Sequence, residues 1–295
     1  MRKLKRVRYG VYTPAEVVLL FADKVCERVF HRFPNLYSRA RTKRLLKPDK
    51  ESYHIKDVRL PLLDAENERG LIVSVFDDTF CSYVFFGDKY DEETVDLCDS
   101  MLKEGLYGLV NDKVNVTVEP GDIVIDAGSW IGDFAAYASV RGATTYAFEP
   151  VDSTFTILEH TAELNGRIIP VKKGLSDKNI SSKIFVNSPT SSGNSFIAGR
   201  DGSGSSEIVE TVRLDDFVRE HNLPRVDFIK SDIEGFERHM LAGAQETLAR
   251  FAPKLALCTY HLPDDPQVMA ELILKANPRY NIVQKHHKLY ASVPE

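Results

Sequence analysis

From residue 122 onward, the sequence repeats one pattern: a short apolar run, a turn, and then an amphipathic helical segment. Continuous apolar strands that alternate with helices favour a mostly parallel sheet with helices on both faces. The last two runs have no helix between them and are predicted to pair as a hairpin. The runs read "DIVIDAG", "TTYAFEP", "RIIPVKKG", "RVDFIKSD", "KLALCTYH", "YNIVQKH" and "KLYASV".

The segments between these runs carry apolar residues at helical spacing, which predicts helices that pack on the sheet. We expect one helix after the second run, one continuous helix after the fourth and one after the fifth. Their predicted buried residues are Phe155, Leu158 and Ala162, then Phe236, Met240, Leu241, Ala244 and Leu248, then Met269, Leu272, Ile273 and Ala276.

The N-terminal part of the chain has a different pattern, and we assign residues 1–115 to a helical and β cap region. Residues 116–295 then form a second, ligand-binding domain. Within the cap we expect helices at 13–47 and in "DEETVDLCDSMLKEGLYG", which starts at Asp91 and which Gly105 could close, and extended segments at 52–63, 71–76 and 81–87.

Charge is distributed unevenly in the cap region. Residues 1–50 carry fourteen Lys and Arg against four Asp and Glu, whereas residues 51–104 carry five against fourteen. The basic arm could be a solvated helical face, or it could meet an anionic membrane surface, nucleic acid or the acidic segment. We favour the solvated face. No nucleic-acid partner is expected, because the sequence has no basic–aromatic pattern and no zinc-finger spacing.

Cysteine spacing and hydropathy bear on location. The four cysteines form no C-x-x-C pair, so neither a zinc ribbon nor a redox motif is indicated. The basic start is followed by only a short apolar run, "VVLLFA", and no segment reaches the roughly 20 apolar residues of a membrane span. We therefore expect a cytoplasmic protein without a transmembrane segment. Its oligomeric state cannot be predicted from these patterns.

The segment "IDAGSWIGDF" marks the first candidate binding site. A dinucleotide fingerprint would read G-x-G-x-x-G, but only Gly128 and Gly132 are present and Trp130 lies between them. Asp126 and Asp133 would each repel a pyrophosphate by on the order of 1 kcal/mol. S-adenosylmethionine, with two positive centres and one carboxylate, fits these charges better, and its carboxylate could meet N–H groups at the helix start. The predicted site contains Asp126, Gly128, Ser129, Trp130, Gly132, Asp133 and Phe134.

Glu149 ends the second strand and adds a second carboxylate position to this candidate site. It follows Asp126 by 23 residues, the length of a helix and a strand. A carboxylate has two acceptor oxygens, so Glu149 could accept both ribose hydroxyls of the cofactor. Pro150 follows it, discourages further strand, and is included in the predicted site.

Two further positions have more than one interpretation. Ser176 and Asp177 follow the third strand, where Asp177 could accept a hydrogen bond from the adenine amine or could simply cap a turn. Asn165–Gly166 fits the C-terminal turn of a helix better than a ligand contact.

The loop between the third and fourth strands is rich in glycine and serine. We predict that residues 187–206 are flexible, and we favour a lid over the acceptor site. The flanking runs "KIFV" and "IVETVRL" are predicted to pair as a hairpin.

Several motifs resemble the FkbM-type family of S-adenosylmethionine-dependent methyltransferases. "VIDAGSWIGDFAAYA", "YAFEPVDSTFTILEHTAELN", "GLSD", "VRLDDFV", "VDFIKSDIEGFERHMLAGA" and "YHLPDD" occur in the family's order. The similarity runs from about residue 86 to the end of the chain. It implies a Rossmann-like class I methyltransferase fold with seven strands and S-adenosylmethionine as cofactor. It also implies O-methylation of a hydroxyl on a small molecule, either a sugar or a natural product, or on a glycan.

The fourth and fifth strands end in a second candidate site. Alternation places Lys230 and Asp232 on one side of the fourth strand, and His261 ends the fifth, a neighbour in this fold. We predict that His261 is the general base, that Asp232 orients the acceptor or His261, and that Lys230 belongs to the same catalytic set. A purely structural His261 is the alternative, and Glu234 and Glu237 fit the acidic start of a helix.

A metal site and two other functions are the remaining alternatives. Asp232, Glu237, His261 and His286 could together supply oxygen and nitrogen ligands, but they follow no strong ligand spacing, so no metal is expected. An NAD-linked oxidoreductase is disfavoured by the broken glycine pattern. A non-catalytic binding protein that retains the fold stays open.

Overall fold

The computed structural model describes residues 14–30, 47–48, 52–55, 58–61, 107–186, 193–197, 205–285 and 287–294. The chain divides into two compact units, Met1–Leu106 and Tyr107–Glu295. The predicted domain boundary after residue 115 stays a prediction. The elements predicted at 71–76, 81–87 and 91–105 lie outside the described residues.

The first unit contains one described helix and a small antiparallel sheet. Helix α1 (Pro14–Phe30) begins at a proline, whose fixed φ suits the first helical turn. Strands β1 (Lys47–Pro48), β2 (Ser52–Ile55) and β3 (Val58–Pro61) pair in that order. Because Lys47 lies in a strand, the predicted helix does not extend to residue 47. Within the predicted extended segment 52–63, β2 and β3 are antiparallel strands, with Val58 and Leu60 buried.

The second unit alternates strands and helices as its sequence predicts. Its elements are β4 (Leu109–Val110), β5 (Asn115–Val116), β6 (Ile123–Ala127), α2 (Asp133–Val140), β7 (Thr144–Phe148), α3 (Asp152–Asn165), β8 (Ile168–Val171), β9 (Gly174–Leu175), β10 (Ser181–Val186), β11 (Ser205–Val212), α4 (Leu214–Glu220), β12 (Phe228–Ser231), α5 (Glu237–Ala242), α6 (Gln245–Phe251), β13 (Lys254–Cys258), α7 (Asp265–Ala276), β14 (Asn281–Lys285) and β15 (Lys288–Ser292).

Seven of the described strands form one sheet in the order β14-β15-β13-β12-β6-β7-β8. Strands β13, β12, β6, β7 and β8 are mutually parallel, and β15 is antiparallel to both of its neighbours. The predicted seven-stranded, mostly parallel class is confirmed, and so is the C-terminal hairpin. The chain leaves β6 towards β7 but leaves β12 towards β13, so the order reverses between β6 and β12. In such sheets ligands bind outside the carboxyl ends of the strands at this switch point.

Alternation along the central strands separates an apolar face from a polar one. Ile125, Ile229 and Leu255 belong to a large buried core cluster. Asp126 and Lys230 are the neighbours of these residues in their strands, so they point to the opposite face. The register of β6 and β12 pairs Asp126 directly with Lys230.

The helix predicted after the fourth strand is in fact two helices, α5 and α6. A Cβ at Gly243, between them, would overlap the carbonyl oxygen of Ser176. Only glycine therefore fits where the backbone passes this close to Ser176. The Gly243 carbonyl accepts the Asp215 N–H rather than an N–H of a continuing helix. Phe236, predicted inside the helix, precedes it.

Two smaller predictions are confirmed. Strands β10 and β11 form an antiparallel hairpin, and β11 also pairs with β9. Gly166 ends α3 with a positive φ of 65°, and its N–H bonds to the Ala162 carbonyl. Among the described residues, no helix has the length and apolar content that crossing a membrane requires. The predicted cytoplasmic location stays a prediction.

Candidate functional site

The turn after β6 brings the ends of β6, β7 and β12 together. Gly128 has a φ of 74°, and a Cβ there would overlap the backbone carbonyl oxygen of Asp232. The N–H groups of Gly128 and Ser129 both donate to the Phe148 carbonyl, at 3.1 and 2.9 Å. Glycine is therefore required at position 128, both for its φ and for the closeness of the two backbones.

A cleft opens beside this turn at the carboxyl ends of the strands. Its lining comes from the turn, from the ends of β7 and β12, and from the β9–β11 region. The residues that define it here are Gly128, Glu149, Pro150, Leu175, Phe196 and Asp232. Trp130 also borders the cleft and is half-buried. Of the predicted cofactor residues, Gly128, Trp130, Glu149, Pro150 and Asp232 thus lie at the cleft.

Glu149 is held by protein donors on both oxygens. Oε1 accepts the Val151 N–H at 3.0 Å and the Thr154 hydroxyl at 2.8 Å, and Oε2 accepts the Trp130 N–H at 3.1 Å. Burial raises the pKa of Glu149 to about 7, although the bonds from Val151, Thr154 and Trp130 and the nearby Lys230 act against this rise. A carboxylate offers about four lone pairs, so Oε2 retains room for one more donor, such as a ligand hydroxyl.

Asp126 lies within the sheet rather than at the cleft surface. Its side chain is fully buried, and Oδ1 forms a 2.9 Å ion pair with the Lys230 ammonium. The same ammonium donates to the Gly128 carbonyl at 2.6 Å. Burial alone would lower the pKa of Lys230, but Asp126, Asp232 and Asp133 outweigh it and raise this pKa. Lys230 and Asp126 therefore lie beneath the turn, where Lys230 holds the Gly128 carbonyl.

The remaining residues predicted at the first turn are buried, and they lie in the turn itself or at the start of α2. Gly132 caps α2, and Asp133 occupies the first turn of that helix, where the dipole favours an acid. Phe134 is buried, and its ring centroid lies 5.2 Å from that of Tyr107. The Ser129 hydroxyl donates to the Asp126 carbonyl at 2.9 Å.

Ser176 and Asp177 follow Leu175, which lines the cleft. The Ser176 hydroxyl donates to Asp177 Oδ1 at 3.1 Å, and His239 Nδ1 lies 3.3 Å from the same oxygen. Asp177 is about one-third exposed. A hydrogen bond from an adenine amine to Asp177 stays a prediction.

Asp232 is held between two tyrosines. The Tyr107 hydroxyl donates to Oδ2 at 3.0 Å, and the Tyr260 hydroxyl donates to Oδ1 at 3.1 Å. His261 Nε2 lies 3.4 Å from Oδ1. As predicted, the ends of the fourth and fifth strands bring Asp232 and His261 together.

His261 is surrounded by acids. Its Nδ1 lies 3.0 Å from Glu237, and its Nε2 lies 3.5 Å from Glu234 and 3.4 Å from Asp232. Burial acts to lower the pKa of His261, but hydrogen bonds to Glu234 and Glu237 and the charges of Glu237 and Asp232 raise it to about 10. The ring is therefore an imidazolium near neutral pH, and in this form it cannot accept a proton.

The donor atoms of Asp232, Glu237 and His261 lie within 4.8 Å of one another, so these three residues could hold a cation. However, the Glu237 oxygens already accept the N–H groups of Ile233 and Gly235, at 2.8 and 3.0 Å. Glu237 thus accepts backbone N–H groups just before α5. The His261 imidazolium already supplies these carboxylates with a positive charge. His286 lies outside the described residues. The absence of a metal stays a prediction.

Residues 126–282 match the methyltransferase FkbM domain family. The chain belongs to the FkbM family. The match begins at Asp126 and includes Glu149, Asp232 and His261, so the site described above lies inside the family domain.

Two curated relatives match this FkbM-family chain. One, named hexuronic acid methyltransferase AglP, from Haloferax volcanii, is 29% identical over 159 residues, with 54% of this chain and 64% of the relative covered. The other, 31-O-demethyl-FK506 methyltransferase FkbM from Streptomyces tacrolimicus, is 26% identical over 162 residues, with 44% of this chain and 62% of the relative covered. The chain thus spans less than two thirds of either relative. A solved methyltransferase FkbM from Methylobacillus flagellatus KT is 19% identical with a TM-score of 0.48, covering 77% of this chain and 60% of that chain.

Two site residues of this FkbM-family chain were not predicted from the sequence. Tyr107 reaches Asp232 from 125 residues away, and no motif surrounds it. Lys288 is buried on β15 with its ammonium 4.8 Å from the centre of the Tyr107 ring. Burial lowers the pKa of Lys288, partly offset by Cys258 and Asp232. The one signal in the sequence is that Lys288 is a charged residue at the start of the predicted strand "KLYASV".

Proposed function

We propose that this protein is an S-adenosylmethionine-dependent O-methyltransferase whose acceptor is a hydroxyl of a sugar, glycan or natural product. One observation carries the proposal. The turn at Gly128 packs directly against the backbone of Asp232, so the cofactor turn and the acceptor-side carboxylate are adjacent. Methyl transfer needs such adjacency, because the reacting atoms must be aligned about 3 Å apart.

The described residues fit this cofactor. The Glu149 carboxylate retains an acceptor site for a ribose hydroxyl, and the Gly128 turn opens onto the same cleft. Asp126 faces Lys230 instead of the cleft, so it would act on the ligand only through the turn. When bound, S-adenosylmethionine would supply the methyl group. The acceptor oxygen would bond to the methyl carbon as the carbon–sulfur bond breaks, and the electron pair of that bond would stay on sulfur.

The geometry supports roles for Asp232 and His261 that reverse the prediction from sequence. Asp232 is partly exposed at the cleft, and its Oδ2 can take a further donor beside Tyr107. We assign proton acceptance from the acceptor hydroxyl to Asp232. The His261 imidazolium holds the carboxylate in place and balances its charge.

Charge favours a hydroxyl over a carboxylate acceptor. Asp232, Glu234 and Glu237 all lie around the His261 imidazolium, so these carboxylates outnumber the cation that they share. An anionic acceptor atom would be repelled there. The curated relatives are named for a hexuronic acid and for 31-O-demethyl-FK506, which supports an oxygen acceptor for this chain.

Calorimetric titration tests the cofactor assignment. We expect saturable binding of S-adenosylmethionine and S-adenosylhomocysteine and no binding of NAD. Transfer of a labelled methyl group to neutral sugars, uronic acids and hydroxylated natural products would then identify the acceptor class. NAD binding would support an oxidoreductase, and binding of none of the three would support a scaffold that retains the fold.

Asp232→Asn is expected to lower kcat about a hundredfold, because the amide cannot accept the proton from the acceptor hydroxyl. The affinity for S-adenosylhomocysteine should fall far less. Tyr260→Phe is the matched control. It removes one hydrogen bond to Asp232 and keeps the carboxylate, so kcat should fall about tenfold or less.

The pH profile of kcat separates the two candidate bases. With its pKa at about 10, His261 is neutral in only about one molecule in a thousand at pH 7. If His261 were the base, kcat would rise about tenfold per pH unit from 7 towards 10. With Asp232 as the base, we expect no such rise. A tenfold rise per unit that His261→Gln abolishes would contradict the assignment.

A further inference from the structure

We propose that Phe196, from the connection between β10 and β11, forms the aromatic wall on which the adenine of the cofactor stacks. This inference rests on the proposed function. It assigns cofactor recognition to a segment that the sequence suggested as an acceptor lid.

Hydrogen bonds fix this segment at the cleft. The backbone of Ser195 exchanges two hydrogen bonds with Phe185 on β10, at 2.9 and 3.1 Å. The buried Ser195 hydroxyl donates to the Glu234 carbonyl at 2.9 Å and also accepts the Ile197 N–H at 3.1 Å. Residues 193–197 are thereby tied both to the hairpin and to the loop after β12.

The Phe196 ring has a site built for it. A Cβ at Gly174 would lie 2.9 Å from Cζ of Phe196, so the ring occupies the space that the missing side chain leaves. Its centroid lies 4.7 Å from that of Phe236. The ring also packs against a small buried cluster that includes Val151 and Ile184. These contacts set the plane of the ring before any ligand binds.

The position of the ring in the cleft matches the purine end of the ligand. Gly128 and Glu149 mark the places for the methionine and ribose parts, and Leu175 and Phe196 line the same cleft near β9. The base is attached to the ribose, so it must lie next to the Glu149 contact. Leu175 and Phe196 offer it an apolar surface, and stacking of a base on an aromatic ring is a favourable contact.

Binding measurements on Phe196→Leu test the inference. Leucine keeps much of the apolar volume but removes the flat ring, so we expect the Kd for S-adenosylhomocysteine to rise about tenfold. 5′-Methylthioadenosine, which has the purine and ribose but no amino acid, should lose affinity by the same factor. KM for S-adenosylmethionine should rise with little change in kcat.

Ile208→Ser supplies the control, since Ile208 lies on β11 of the same hairpin and is 71% exposed. Its Kd values should match the wild type. Thermal unfolding of each variant would show that the fold is retained. If Phe196→Leu binds both ligands within about twofold of the wild type, the inference fails and the proposed function stands. If the wild-type protein itself does not bind S-adenosylhomocysteine, the proposed function fails as well.

Discussion

Gly128→Ala is expected to abolish S-adenosylhomocysteine binding and to destabilise the second unit. The substitution forces a side chain into a backbone with a φ of 74° and into the carbonyl oxygen of Asp232. The positive φ alone costs about 1–3 kcal/mol. The overlap with Asp232 must then be relieved by separating the ends of β6 and β12, which opens the cleft at the point where cofactor and acceptor meet.

Gly166→Ala separates these two causes. Gly166 also has a positive φ, 65°, but a Cβ there meets no atom within 4 Å. This variant should lose only the stability that a positive φ costs a non-glycine residue. It should bind S-adenosylhomocysteine as the wild type does. Trp130 is the only tryptophan in the chain and borders the cleft, so its fluorescence can follow both unfolding and binding. Equal unfolding midpoints and equal affinities for the two variants would contradict the predicted overlap.

Lys230→Met is expected to lower the free energy of unfolding by about 3–5 kcal/mol, because it leaves the Asp126 carboxylate buried without a counter-charge. It also removes the hydrogen bond to the Gly128 carbonyl, so affinity for the cofactor should fall. Urea unfolding followed by Trp130 fluorescence measures the change.

Two comparisons sharpen this result. The double variant Asp126→Leu/Lys230→Met removes both charges and should recover most of the lost stability. Lys172→Met breaks the 2.6 Å pair with Asp152, whose two side chains are 51% and 73% exposed, and should cost about 1 kcal/mol or less. A loss for Lys230→Met no larger than that for Lys172→Met would refute the burial argument.

The order of elements in the second unit was predictable because its signals are local. Apolar runs such as "DIVIDAG" and helical spacing such as Phe155–Leu158–Ala162 need only neighbouring residues. One difference from the predicted order, the break at Gly243, lies where the chain meets a distant segment. Its backbone meets Ser176, which is far away in the sequence. The cap region offered weaker patterns, and there the predicted long helix does not reach Lys47.

The candidate site was predictable in position but not in detail. Gly128, Glu149, Asp232 and His261 all lie at strand ends, and parallel strands present these ends at one edge. The direction of Asp126 could not be inferred, because its partner Lys230 is set by the register between β6 and β12. The pKa of His261 depends on burial and on carboxylates from the loop after β12 and the start of α5.

The sequence by itself determined the fold class, the strand ends that carry the polar residues, and the resemblance to the FkbM family. These follow from periodicity and short motifs, which are properties of neighbouring residues. Only the tertiary structure decided that Lys230 lies under the turn, that Tyr107 reaches Asp232, and that acids surround His261 and raise its pKa. Each of these depends on distance, burial and charge between segments that folding alone brings together.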